Sequence, residues 1–135
     1  MLLSLAPLAG CDLMTPAPPP EGQLAIENVA KWYQLYRAAN RTKAPKDEDE
    51  FIEFVEKEMS KRGGETLDRE QFLTSPRDGK KYIINYGKPA TRDMEKNVAV
   101  YEQEGYDGKK LLAFEAAWSK FVDDAELQSL LDDDK

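Results

Sequence analysis

The stretch NVAVYEQEGYDGKKLLAFE, residues 97–115, decides the fold. Two runs rich in Val, Leu and aromatic residues, 97–102 and 109–115, flank a turn that contains Gly105 and Gly108. Two β-rich runs separated by a short glycine-containing turn indicate an antiparallel hairpin. We therefore expect this stretch to form two strands of an antiparallel meander.

The segment before the hairpin predicts a third strand. Ser75-Pro76-Arg77-Asp78-Gly79 is a turn sequence, because proline presets φ and glycine admits positive φ. It leads into the β-rich segment 80–86. Alternation along that segment places two residues on one face, Ile83 and Asn85, and three on the other, Tyr82, Ile84 and Tyr86. We expect Trp118 and Phe121 to extend or cap the sheet.

Helical periodicity predicts the remaining elements. Apolar residues recur at helical spacing over 23–39 and 47–62, a short helical turn covers 68–73, and Asp123 or Asp124 caps a last helix. Helices followed by strands are typical of an α+β domain. We expect N-terminal helices packed on one face of a small antiparallel three-stranded sheet, together with a short C-terminal helix.

Composition excludes several kinds of chemistry. The 135 residues include 41% apolar residues, carry a net charge of −7, and contain no histidine and one cysteine. Without histidine, neither a Ser-His-Asp triad nor an HExxH zinc site can form, and without a second cysteine there is no intrachain disulfide. We expect no metal and no cofactor. The acidic charge also disfavours nucleic-acid binding, because it repels the phosphate backbone.

The N-terminus resembles the lipobox of a bacterial lipoprotein precursor. Leu8-Ala9-Gly10-Cys11 places small residues directly before the only cysteine, at the end of a short apolar stretch. The resemblance implies that acyl chains such as palmitate are attached to Cys11 and that residues 1–10 are a truncated lipoprotein signal peptide, which is removed. Because residues 1–10 contain no Lys or Arg, we expect the true start codon to lie upstream.

The lipobox also sets the expected domain boundaries. Residues 11–22 form the lipidated Cys and Pro-rich linker, with four prolines within five positions, which favours a semi-rigid polyproline spacer. A single α+β domain follows over 23–131, and residues 132–135 are an acidic tail. The expected localisation is the bacterial cell envelope, lipid-anchored to membrane, with the domain facing the periplasm or exterior.

The C-terminal half of this chain resembles two protein families. SPRDG at 75–79, a Tyr-Ile-Ile strand, and AVYEQEGYDGKK at 99–110 are similar to motifs of small planctomycete lipoproteins. The same arrangement bears a weaker resemblance to the periplasmic domain of type II secretion pseudopilins. That resemblance implies a long helix lying on a small antiparallel sheet. Pseudopilins have a long hydrophobic N-terminal helix where this chain has Cys11 and prolines.

The expected function is a non-enzymatic binding or structural module, anchored to the membrane through its lipid and holding an envelope protein partner. Tyr is enriched at interfaces, and the candidate binding surface consists of Tyr82, Tyr86, Tyr101 and Tyr106. Two alternatives remain open. One is a small carboxylate-dependent hydrolase of envelope glycans that uses acidic residues near the hairpin, Glu102, Glu104 and Asp107. The other is a pseudopilin-like subunit.

Overall fold

The computed structural model describes residues 20–64, 66–88 and 94–133, which form four helices and four strands. The helices are α1 (Pro20–Ala39), α2 (Glu48–Arg62), α3 (Arg69–Leu73) and α4 (Asp124–Asp133). The strands are β1 (Ile83–Ile84), β2 (Val98–Tyr101), β3 (Lys110–Phe114) and β4 (Ser119–Val122). The predicted α+β class is therefore confirmed.

Helix α1 buries the apolar face that its sequence pattern indicates. Ile26, Val29, Ala30 and Tyr33 recur at the spacing of one helix face, and all four are buried. The helix begins at Pro20 and not at residue 23, because proline is tolerated in the first turn, where its missing N–H would have no helical partner. Residues 20–22 thus belong to the helix and not to the linker, and residues 11–19 lie outside the described residues.

Helix α2 begins with an aspartate cap. The Asp47 side chain accepts a hydrogen bond from the Glu50 N–H at 2.9 Å, which satisfies a donor at the helix start. Acidic residues occupy the first turn and Lys61 and Arg62 the last, as the helix dipole favours. Helix α3 begins in the same way, with the Asp68 side chain accepting from the Gln71 N–H.

The sheet has four strands in the order β1-β2-β3-β4, all antiparallel, and not the three that we predicted. The fourth strand, β4, lies where we expected Trp118 and Phe121 to extend or cap the sheet. Strand β1 has two residues and is much shorter than the predicted segment 80–86. It ends early because the chain turns away, and the Gly87 N–H bonds to the carbonyl of Pro45.

Helices cover both faces of the sheet, and not one face as we predicted. One face packs against α1 and α2 through residues that include Val100, Leu111 and Ala113. On the opposite face, Leu127 of α4 packs with Leu112, Phe114 and Val122. Helix α4 takes that face because it starts directly after β4. Ion pairs from two strand lysines then hold it there, Lys110 to Asp124 at 3.1 Å and Lys120 to Glu126 at 2.5 Å.

A buried ion pair between Arg77 and Glu102 joins the 75–79 turn to the hairpin. The Arg77 Nε lies 3.0 Å from a Glu102 carboxylate oxygen, and both side chains are 1% exposed. The same carboxylate accepts hydrogen bonds from the Ser75 hydroxyl at 2.6 Å and from the Leu111 N–H at 2.7 Å. Two donors besides arginine therefore compensate the buried negative charge, which otherwise would be costly.

Neighbouring segments pack closely around the Arg77–Glu102 pair. The Arg77 side chain also donates to the Lys109 carbonyl, within the hairpin. Helix α1 approaches so closely that a Cβ added at Gly22 would lie 2.6 Å from the Arg77 Cδ. In the hairpin, Gly105 has a φ of 77°, and a Cβ there would lie 2.1 Å from the Lys109 carbonyl oxygen. Only glycine fits at Gly105, and the predicted turn at 105–108 is confirmed.

A second buried pair lies at the other end of α1. The Arg37 Nε is 2.9 Å from a Glu115 carboxylate oxygen, and the two side chains are fully or almost fully buried. Glu115 directly follows β3, whereas Glu102 directly follows β2. Because β2 and β3 are antiparallel, the two glutamates mark opposite ends of this strand pair. Helix α1 therefore crosses the sheet between two buried Arg–Glu pairs.

Candidate functional site

The four predicted surface tyrosines do not form one surface. Tyr82 is 5% exposed and belongs to the core between the sheet and the N-terminal helices. Tyr86 is half-buried against the same core, 6.4 Å from the Phe51 ring. Tyr101 is half-buried on the opposite face of the sheet, where it packs against the residues that contact α4. Only Tyr106 among the four is exposed, at 41%, so the four tyrosines do not present a common exposed surface.

The predicted alternation is observed over residues 82–84, in the middle of the segment 80–86. Tyr82 and Ile84 are buried, whereas Ile83 is 38% exposed. Helices α1 and α2 cover the face that carries Tyr82 and Ile84, and both residues belong to the core between these helices and the sheet. Burial and the nearby negative charge of Glu102 raise the pKa of Tyr82 above its ordinary value. Burial likewise raises the pKa of Tyr86.

The three acidic residues near the hairpin serve different purposes. Both oxygens of Glu102 accept hydrogen bonds inside the protein. Glu104 is exposed and pairs with Lys80 at 3.3 Å. Asp107 occupies the turn with a φ of 55° and is exposed. Since Glu102 faces the interior, the three do not surround a common cleft, and their geometry does not support the glycan hydrolase.

Cys11 lies outside the described residues. Within residues 20–64, 66–88 and 94–133, no helix is long and apolar enough to cross a membrane. In the same ranges, no cluster of three or more His, Cys, Asp or Glu residues is placed to hold a metal ion.

The described part of the chain contains a groove on the outer side of the N-terminal helices, between α1, the end of α2 and the segment leading into α3. We call it the α1–α2 groove. It has two adjoining lobes of about 370 and 300 Å³. Four residues line both lobes: Asn28, Met59, Leu67 and Phe72. Cavities of this size are in the range that accommodates ligands.

The floor of the groove is apolar and rests on the core. Trp32, Met59, Leu67 and Phe72 are each half-buried, with one side packed against core residues. The Phe72 ring lies 6.0 Å from the Phe51 ring, which connects α3 to α2. Because the core supports these side chains from behind, the floor is held in shape without a ligand.

Ion pairs between the helices hold the α3 wall. Arg69 on α3 lies 2.7 Å from Glu48 and 2.6 Å from Asp49, both in the first turn of α2. Lys81 also binds Glu48. Partial burial raises the pKa of Glu48, but the hydrogen bonds from Lys81 and Arg69 outweigh burial and leave that pKa below its ordinary value. This network joins α3 to the first turn of α2, at the opposite end of α2 from Met59 and Arg62.

The two lobes differ in the charge on their rims. The first lobe is bordered by Arg62, whose guanidinium carbon lies 5.7 Å from the centre of the Trp32 ring. The second is bordered by Asp68, together with the polar residues Thr66 and Gln71. An apolar floor with a few polar groups on its rim is typical of a binding site.

Sequence reasoning did not identify this groove. The helical pattern over 23–39 assigns Trp32 to the core, yet Trp32 lies at the edge of the buried face and is half-exposed to the groove. Met59, Leu67 and Phe72 come from three other segments. One residue could have indicated the groove from sequence. Leu67 is apolar although it lies in the short connection between the glycines that end α2 and the cap of α3.

The comparisons with known proteins add no relative. No protein-family model, no curated protein and no solved structure matches this chain.

The assignment of Tyr82 to the core predicts a specific pH dependence. In the unfolded chain, a tyrosine loses its proton near pH 10, whereas burial keeps folded Tyr82 protonated to higher pH. The stability that this tyrosine contributes is therefore fully present below pH 10 and is lost as the pH rises above it, by at most about 1.4 kcal/mol per pH unit. We expect Tyr82→Phe to make the decline in unfolding free energy between pH 9 and 11 shallower, as measured by urea unfolding. An unchanged decline would show that Tyr82 titrates as an exposed residue.

Proposed function

We propose that this chain is a lipid-anchored binding module of the bacterial cell envelope, which holds a partner protein in the α1–α2 groove. The observation that carries the binding role is the groove, with its apolar floor supported by the core and its polar rim. The anchor is inferred from Leu8-Ala9-Gly10-Cys11 and the proline-rich linker that follows.

The lipid and the linker suit such a module. Acyl chains on Cys11 would supply the anchoring, since each buried methylene contributes about 0.8 kcal/mol. Residues 11–19, between the cysteine and α1, contain three of the four clustered prolines. A proline-rich spacer holds a domain away from the membrane surface, so the groove would remain open to proteins of the envelope.

The contacts that the acidic residues make within the protein support a binding role over a catalytic one. Glu102 and Glu115 are buried and paired with arginines, and Glu48 links α2 to neighbouring segments. A hydrolase with two carboxylates needs both of them at a cleft open to substrate. In the described residues the groove presents one carboxylate, Asp68.

Lipidation predicts that Cys11 determines membrane attachment. We expect the full chain, expressed in a bacterial host with a lipoprotein signal peptide upstream, to fractionate with membranes and to carry the mass of attached acyl chains. Cys11→Ser should leave uncleaved precursor or soluble protein, because serine lacks the sulfur that receives the lipid. Membrane attachment that is unchanged by this substitution, with no lipid mass on the original chain, would contradict the anchor.

The binding role predicts that filling the groove releases the partner. Asn28 is exposed and lines both lobes, so Asn28→Trp should fill the groove without disturbing the core. We expect proteins that co-purify with the chain from detergent-solubilised membranes to be lost, while the melting temperature stays nearly unchanged.

Ala38→Trp is the matched control. It places the same side chain at an exposed position on the last turn of α1, about 15 Å along the helix from Asn28. The control should retain the partner. Equal retention by both variants, or equal loss, would show that binding does not use the groove.

A further inference from the structure

The polar residues of the groove indicate what kind of ligand it takes. Asn28 lies at the junction of the two lobes, and its side-chain amide forms no hydrogen bond with other described residues. Its amide can donate and accept at once, as a peptide main chain requires. Thr66 and Gln71 add further polar groups on the rim. A plain acyl chain would desolvate these groups without giving them partners, which is costly.

Arg62 adds a charge preference at one end. In the part of the chain that the structure describes, its guanidinium contacts the Trp32 ring, and no carboxylate lies within ion-pair distance. The neighbouring Lys61, by contrast, pairs with Glu58 at 3.2 Å. In a protein of net charge −7, an arginine that lies beside an apolar lobe and has no acidic partner among the described residues favours a ligand that brings its own carboxylate.

Asp68 gives the groove a direction. It borders the second lobe, and its carboxylate repels an acidic group at that end. An acidic ligand group is therefore attracted at the Arg62 end and repelled at the other.

We infer that the α1–α2 groove binds an extended peptide segment, which inserts an apolar side chain over Trp32 and Met59 and places an adjacent acidic side chain against Arg62. The inference rests on the proposed binding role and specifies the partner's chemistry. The first lobe, of about 370 Å³, has room for one large apolar side chain. Asn28 then bonds the peptide main chain beside it.

The test uses the full acylated chain in nanodiscs and a phage-displayed library of random dodecapeptides. We expect selection to enrich an apolar residue next to Asp or Glu. Changing the acidic residue of a selected peptide to its amide should weaken binding about tenfold, because a hydrogen bond to a charged group is lost. Arg62→Glu should shift the selected motif from acidic to basic neighbours.

Lys57→Glu is the matched control, since it reverses a charge at an exposed position of the same helix outside the groove. It should leave the selected motif unchanged. Three results would overturn the inference: no enriched motif, a motif without acidic preference, or a motif that Arg62→Glu does not alter. Binding of dodecanoate in place of peptides would identify an acyl ligand and would also overturn it. Partner loss in Asn28→Trp tests the binding role separately, so that role can hold while this peptide chemistry fails.

Discussion

The buried ion pair between Arg77 and Glu102 is the interaction on which the other parts of the structure depend. Glu102 receives hydrogen bonds from the turn through Ser75 and from the start of β3 through Leu111. Arg77 extends the connection to the hairpin carbonyl of Lys109 and to α1, which contacts it at Gly22. A buried carboxylate tolerates few geometries, because each lost donor leaves charge uncompensated. The pair therefore fixes the position of the turn, the hairpin and the start of α1 together.

This arrangement determines which surfaces remain available for binding. With α1 held across one sheet face between the Arg77 and Arg37 pairs, the tyrosines of 82–86 are covered and α4 takes the other face. The side of α1 turned away from the sheet faces the end of α2 and the start of α3. The segment that connects α2 to α3 does not fill the space between these three helices. The α1–α2 groove is this space. Its floor is rigid because the same side chains pack against the core.

Local patterns predicted most elements but not how they pack. Helix boundaries near Asp47 and Asp68 follow from capping residues, and the hairpin follows from its glycines, so both could be read from sequence. Strand β4 could not, because Ser119–Val122 is short, half polar and paired only with β3. Alternation correctly separated Tyr82 from Ile83, but which face is buried depends on where α1 lies. The burial of Glu102 could not be predicted, because its partner Arg77 is 25 residues away in sequence, and the groove needs residues from four separate segments.

The most direct test of this account is a double-mutant cycle on the central pair. Arg77→Met and Glu102→Leu should each lower the unfolding free energy by about 3–5 kcal/mol, because each leaves a buried charge unpaired. The double variant should cost clearly less than the sum of the two, with a coupling of about 1–3 kcal/mol. Some loss should remain, since Ser75 and the Leu111 N–H keep no acceptor. Small and strictly additive losses would contradict the claim that this pair holds the turn, the hairpin and α1 in place.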